Sequence, residues 1–245
     1  MTAPGLRILA LTSGRADYSI LTPVLRGVSE HPEFELEIAA FGMHLLANHE
    51  ASRAAIASDG YKVHFVGDAP KGDTPLDIAR NLGEATRALA QIYASLQPDI
   101  LLCVGDRYEM FAAVSAAVPF DIPVVHLHGG EETAGAMDDV FRHAISAMAT
   151  IHLTAHETYA DRVRQIVGPS RAQHVFVTGA PGIDALISEP LLPDNVFAKK
   201  FGISLTEPTF LATFHPETKR GQDGLADVEE FTAALNKRSE QVLLT

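Results

Sequence analysis

Cysteine is almost absent from this 245-residue sequence. The single Cys103 lies inside an apolar run, so no intrachain disulfide can form, and it reads as a small buried hydrophobe. No apolar run approaches the roughly 20 residues that a membrane-crossing helix needs. The N-terminus shows no basic stretch leading into a long apolar segment and a cleavage site. The protein is therefore expected in the cytoplasm, with no membrane partner. Positive charge is scarce too: 19 Lys and Arg stand against 31 Asp and Glu, a net charge of −12. That balance disfavours nucleic acid and leaves room for a local basic site that takes an anionic metabolite. The Gly-x-Gly-x-x-Gly dinucleotide fingerprint and the Gly-Lys-Ser/Thr phosphate loop are both missing, which argues against a nicotinamide enzyme and a P-loop kinase. There is no internal repeat and no low-complexity segment.

What is present suits a globular protein with a core: 47% of residues are hydrophobic and 20% charged. Apolar runs predict strands at 6–12, 34–41, 61–66, 100–104, 122–127, 151–155 and 175–178, then at 210–214 and 241–245. Between them, apolar residues recur at helical spacing, as in Leu82, Ala85, Leu89, Ile92 and Leu96. The first helix is expected to begin near Leu21, which would put Pro23 in its first turn, with Asp17 or Ser19 as a cap. The loop 67–75, with its Gly, Pro and charged residues, is expected to be exposed. Strands alternating with helices predict an α/β fold with a doubly wound parallel sheet. Residues 1–180 form a complete Rossmann-like unit on this reading. Residues 181–205 are a crossover, and 206–245 begin a second Rossmann-like unit that is incomplete. Two strands and one helix cannot bury a doubly wound core, so the chain beyond about residue 190 is expected to be its least stable part.

Function is expected at the strand ends, where ligands bind in open parallel sheets. The runs ending at Val104 and Leu127 are each followed by glycine and charge. Ten ionisable residues cluster there: Asp106, Arg107, Glu109, His126, His128, Glu131, Asp138, Asp139, Arg142 and His143. Arg15 and Arg107 offer guanidinium forks for phosphate or carboxylate. Asp106 and Glu131, on adjacent strand–helix units, could flank a sugar-sized ligand as general acid and base. His44, His128 and His215 come from three different strand ends and could move protons near neutrality. The competing structural readings are a helix-capping Asp106, dipole-pairing Asp138 and Asp139, salt-bridging Arg142 and His143, and core-packing His126, His152 and His156. His126 and His128 share a strand face, so a metal is geometrically allowed. No third ligand set is evident, and no metal is expected.

These residues fall in motifs that resemble one family: T-S-G-R-A-D-Y-S at 12–19, G-M-H-L at 42–45, V-G-D-R-Y-E at 104–109, H-L-H-G-G-E at 126–131, D-D-x-x-R-H-A-I at 138–145, V-T-G-A-P-G-I-D at 177–184 and T-F-H-P-E-T at 213–218. The sequence is similar, in order from Leu6 to about Thr218, to the UDP-N-acetylglucosamine 2-epimerases, specifically their hydrolysing branch. That branch serves sialic, legionaminic and related nonulosonic acid synthesis. The resemblance implies a two-domain, GT-B-like fold and no cofactor. The substrate is UDP-N-acetylglucosamine or its 2,4-diacetamido-6-deoxy analogue, which loses UDP to give a 2-acetamidoglucal. Hydration of the glycal then gives the free mannosamine-type sugar. By motif position Asp106, Glu131, His128 and His215 are the catalytic candidates. Arg15, Asp17, Ser19, His44, Arg107, Asp138, Arg142 and His143 are the substrate-binding ones. The animal enzymes carry Glu where this chain has His128, so the acid/base role stands open between His128 and Glu131. The resemblance also implies a homo-oligomer, dimer or tetramer, with helix 76–96 as a contact. It implies that much of the second domain, which holds the nucleotide, lies beyond Thr245. A non-catalytic remnant or binding module of the same fold is the alternative.

Overall fold

The computed structural model of the chain describes residues 5–188, 190–214 and 223–245. The elements in order are β1 (Leu6–Thr12), α1 (Arg15–Glu30), β2 (Phe34–Ala40), α2 (Glu50–Ser58), β3 (Lys62–Phe65), α3 (Pro75–Leu96), β4 (Ile100–Val104), α4 (Tyr108–Ala117), β5 (Val124–Leu127), α5 (Asp138–Met148), β6 (Ile151–Thr154), α6 (Glu157–Val167), β7 (Val175–Val177), α7 (Pro181–Ser188), α8 (Asp194–Phe201), β8 (Thr209–Ala212), α9 (Asp223–Leu235) and β9 (Gln241–Leu244). The chain divides into two units. One comprises Met1–Glu132 with Asp138–Ile187; the other comprises Thr133–Met137 with Ser188–Thr245. Helices α7 and α8 occupy the stretch expected as a crossover. His215 lies outside the described residues.

The first unit is built on a seven-stranded sheet of order β3-β2-β1-β4-β5-β6-β7, parallel throughout. Its central strands are apolar on both faces because helices cover both. Alternation along the strands sorts the core in two. Leu9, Leu11, Leu101 and Cys103 pack with Leu89, Tyr93, Met110 and Ile145 of α3, α4 and α5. Ile8, Ala10, Leu102 and Val104 pack on the other side with Leu21, Leu25 and Ile56 of α1 and α2. Burial pushes the Cys103 thiol well above its usual range, so it stays a neutral core group.

Local chemistry sets the helix ends. Thr74 and Asp77 form a reciprocal capping box at the start of α3, with Pro75 in its first turn. Asn81 then pins the exposed loop before it, accepting from the Lys71 N–H and donating to the Lys71 carbonyl, both at 3.1 Å. Helix α1 departs from expectation: it starts at Arg15, six residues early, and carries Pro23 in its interior. Asp17 makes the early start possible by accepting from the Ser13 N–H and hydroxyl, which closes the turn ahead of the helix. Pro23 removes the N–H that would reach Ser19, but Ser19 is exposed and its carbonyl is open to water.

In the second unit β8 and β9 pair in parallel, as the sequence suggested. Among the described residues they form a two-stranded sheet, a size that is marginal in water. Its apolar side chains stay outside: Leu211 is 72% exposed and Leu244 61%. Backbone amides of β8 and β9 are therefore expected to exchange with deuterium at least about 100-fold faster than those of β1 and β4, tracking a smaller local opening free energy. Equal protection in the two sheets, measured by exchange mass spectrometry, would contradict this. Among the described residues no helix is long and apolar enough to cross a membrane.

Candidate active site

The strand order reverses between β1 and β4, and open α/β sheets bind ligands at such a switch point, beyond the carboxyl ends of the strands. At the end of β1 the Asp17 carboxylate is buried and accepts from Ser13 at 2.6 Å (hydroxyl) and 3.1 Å (N–H). Burial raises its pKa; the Ser13 bonds and the Arg107 charge oppose that rise. Arg15 and Ser19 are exposed, and the Ser19 hydroxyl donates to the Arg15 carbonyl at 2.9 Å.

His44, expected to bind substrate, lies beside the end of β1 with its ring enclosed. It is fully buried, with Nε2 2.9 Å from the Thr12 hydroxyl and Nδ1 3.0 Å from the Ser52 hydroxyl. Burial lowers its pKa to about 4. With both nitrogens engaged, the neutral ring ties the end of β1 to α2.

At the end of β4, Asp106 does not cap α4; Arg107 is the capping residue, with no side-chain bond. The Arg107 guanidinium donates twice to Glu109, at 3.2 and 3.1 Å, and Glu109 is almost wholly buried. Burial disfavours the Arg107 charge, yet Glu109 outweighs it and holds the guanidinium more firmly protonated. Asp106 pairs instead with Arg142 of α5. Arg142 also donates to Asp139 at 2.6 Å and is only 6% exposed at its side chain. Asp138 opens the same helix. Burial raises its pKa and the Asp106 charge adds to the rise, while Arg107 and Arg142 oppose it. This corner thus combines an Arg-paired Asp106 with an Asp138 that holds a proton more readily than an ordinary carboxyl.

At the end of β5 the two open candidates prove to be one unit. His128 Nδ1 lies 2.6 Å from Glu131 Oε1. The His128 bond, ahead of opposing burial, holds the Glu131 carboxyl below its usual range, so the carboxylate accepts and Nδ1–H donates. That leaves Nε2 with its lone pair; it is buried and has no hydrogen-bond partner among the described residues. His128 holds the left-handed backbone at φ 61°, uncommon for a residue with a side chain and frequent at functional sites. Gly130 follows at φ 82°, where a Cβ would collide with the Tyr159 carbonyl. Arg162 of α6 holds the same turn through the Gly130 carbonyl and Glu132. His143 is half-buried on α5, and its Nδ1 has no partner among the described residues.

Sequence reasoning counted Glu109 among the charges but gave it no role. Its signal was the Arg-x-Glu spacing across a helix start, which lets the carboxylate fold back onto the fork. His126 is a satisfied core group, bonded to the Gly105 carbonyl and Ser146, and so keeps no lone pair for a metal. Among the described residues no three His, Cys, Asp or Glu side chains are placed to hold a metal ion. A cavity of about 620 Å³ opens beside the cluster, among Gly42, Lys71, Asn81, Tyr108 and Glu109. It shares Glu109 with the cluster and contains none of Asp106, His128, Asp138 or Arg142.

Three buried histidines make the unit acid-sensitive. His44, His126 and His152 are each lowered from 6.5 to about 4, chiefly by burial. The unfolded chain then binds more protons than the folded one between these values, so stability is full above about pH 6.5 and falls as pH drops toward 4, by about 2 kcal/mol per ring at pH 5. Both His152 nitrogens lack partners among the described residues, so His152→Leu removes no hydrogen bond recorded there. It should shrink the difference in unfolding free energy between pH 7 and pH 5 by about 2 kcal/mol. Urea titrations at both pH values that give the parent difference would contradict this.

Comparison with known proteins places the chain. A family model described as UDP-N-acetylglucosamine 2-epimerase matches residues 26–245. The UDP-N,N'-diacetylbacillosamine 2-epimerase (hydrolyzing) of Legionella pneumophila is 32% identical over 218 residues, covering 86% of this chain and 55% of the relative. Polysialic acid biosynthesis protein P7 of Escherichia coli is 31% identical over 231 residues, covering 94% of this chain and 58% of the relative. The chain thus spans a little over half the length of these relatives. The crystal structure of UDP-GlcNAc 2-epimerase from Neisseria meningitidis bound to UDP-GlcNAc matches with a TM-score of 0.78 at 20% identity, over 98% of this chain and 66% of that one.

Proposed function

This chain belongs to the UDP-N-acetylglucosamine 2-epimerase family, and from that premise we propose that it carries the sugar-side catalytic groups of a hydrolysing UDP-sugar 2-epimerase. The substrate is UDP-N-acetylglucosamine or its 2,4-diacetamido-6-deoxy analogue. The products are UDP and the free mannosamine-type sugar. Two relatives are named as hydrolysing diacetylbacillosamine 2-epimerases, which supports the hydrolytic outcome. The observation that carries the reading is the pairing of a His128–Glu131 dyad with an Asp106–Asp138–Arg142 corner on neighbouring strand ends.

Epimerisation at C2 through a glycal needs two proton carriers. In the first step His128 Nε2 takes the C2 proton, the C1–C2 double bond forms, and the C1–O bond breaks with its electron pair leaving on UDP. Glu131 stabilises the imidazolium and holds its tautomer, a general-base arrangement. In the second step a proton reaches C2 from the opposite face, water bonds to C1 through its oxygen, and the proton that this water sheds returns to the carboxylate that donated. Asp138, whose proton the Asp106 charge helps to hold, donates on that face, and Arg142 fixes Asp106 beside it. Arg15 and Arg107 receive the diphosphate, with Glu109 fixing the Arg107 fork. Asp17, Ser19 and His143 complete the sugar side.

The test is product analysis of the gene product that carries this sequence, incubated with each nucleotide sugar. Equimolar UDP and free mannosamine-type sugar are expected. A nucleotide that stays attached to the epimer would overturn the hydrolytic reading. Nucleotide binding without turnover would favour a non-catalytic binding module.

A further inference from the structure

His126 takes no part in the chemistry above, yet it bonds to the loop that carries Asp106 and to the helix that carries Arg142. It has no exposed surface. The β4–β5 register sets it opposite Cys103, from where its Nε2 reaches the Gly105 carbonyl at 2.9 Å. Gly105 is the residue before Asp106. Its Nδ1 lies 3.2 Å from the hydroxyl of Ser146, one helical turn beyond Arg142. The turn after His128 closes on the same pair: a Cβ on Gly129 would stand 2.9 Å from Ser146 Oγ and 3.0 Å from His126 Nδ1. A carbonyl can only accept, so Nε2 carries the proton and Nδ1 accepts from Ser146. Burial keeps the ring neutral with a pKa of about 4. The Gly105 bond opposes this, and the nearby His152, Arg142 and His128 each add a smaller push against a second proton.

We propose that His126 is a positioning residue, a rigid neutral imidazole that sets Asp106, Arg142 and His128 in mutual register. The meaning of those three groups rests on the proposed function; the register itself does not. Two of these elements bond to the ring and the third packs on it, and its tautomer cannot be exchanged without losing the bond to the Gly105 carbonyl. A ring of this kind fixes spacing where a flexible side chain would not, and well-placed catalytic groups depend on that precision.

The test is nuclear magnetic resonance on the isotope-labelled chain, so its outcome does not depend on turnover. The His126 ring should show the Nε2–H tautomer unchanged from pH 7.5 to 5. His126→Leu should speed exchange of the Arg142 guanidinium protons about tenfold, the scale of one lost buried hydrogen bond, and shift the His128 ring resonances. His126→Gln, which restores a donor toward Gly105, should recover most of both signals, while amide resonances of β1 to β3 stay in place. If His126→Leu fails to fold, Ser146→Ala, which breaks one bond only, should still shift the His128 resonances. An Nδ1–H tautomer in the parent, or unchanged Arg142 and His128 signals in the folded variants, would overturn the proposal. If turnover is found, His126→Leu should lower kcat far more than it changes KM. If no nucleotide sugar is turned over, the proposed function fails while the resonance result still decides the register.

Discussion

His128→Gln in the gene product that carries this sequence is expected to lower turnover by about 100- to 10,000-fold, the range for a lost general acid–base group. The carboxamide can still donate to Glu131, so the turn should fold, but it cannot take a proton at the Nε2 position. Glu131→Gln should cost less, about 10- to 100-fold, because Glu131 orients His128 and stabilises its charged form without touching the substrate proton. The order of the two effects is the informative quantity. A larger loss for Glu131→Gln than for His128→Gln, from kcat with each variant's fold checked by circular dichroism, would move the base from His128 to Glu131.

Asp106→Asn is expected to cut turnover by about 100-fold or more, because it removes the charge that helps Asp138 keep its proton, with little change in stability. Arg142 keeps Asp139 at 2.6 Å, so the substitution does not leave a buried guanidinium alone. Arg142→Met behaves differently. It sets Asp106, Asp138 and Asp139 near one another without the guanidinium they share. Breaking a buried pair costs about 3–5 kcal/mol. Asp106 is 24% exposed and Asp139 23%, so solvent offsets part of that and about 2–3 kcal/mol remains. Thermal unfolding and initial rates on both variants separate the cases. A stable, active Asp106→Asn would return Asp106 to a structural role.

Much of the fold was legible because a strand buried on both faces is a short continuous apolar run, and each such run here is bounded by glycine, proline or charge. Parallel order followed from the intervening helical patterns. What the pattern could not carry was side-chain direction. His44 lies two residues after a glycine and His128 just before one, both past strand ends, yet the first ring is held between Thr12 and Ser52 and the second against Glu131. The start of α1 was hidden because its signal is a bond from Asp17 back to Ser13, while Pro23 suggested a later beginning. The choice between His128 and Glu131 could not be made from spacing. The left-handed backbone at His128 brings the two side chains together and makes the alternatives parts of one device. Asp106 gave no sign of Arg142, which lies 36 residues away and meets it only through the β4–β5 pairing and the packing of α5 on α4.

The central claim is that two different groups handle the C2 proton on opposite faces of the sugar. Turnover of UDP-N-acetylglucosamine, or of the diacetamido analogue, by the gene product in deuterium oxide tests it most directly, with mass and proton spectra of the released sugar. The account predicts UDP together with a free sugar inverted at C2 and carrying one solvent deuterium on that carbon, in every molecule formed. A product that keeps its original C2 hydrogen would contradict it, because one group would then have taken the proton and returned it without exchange.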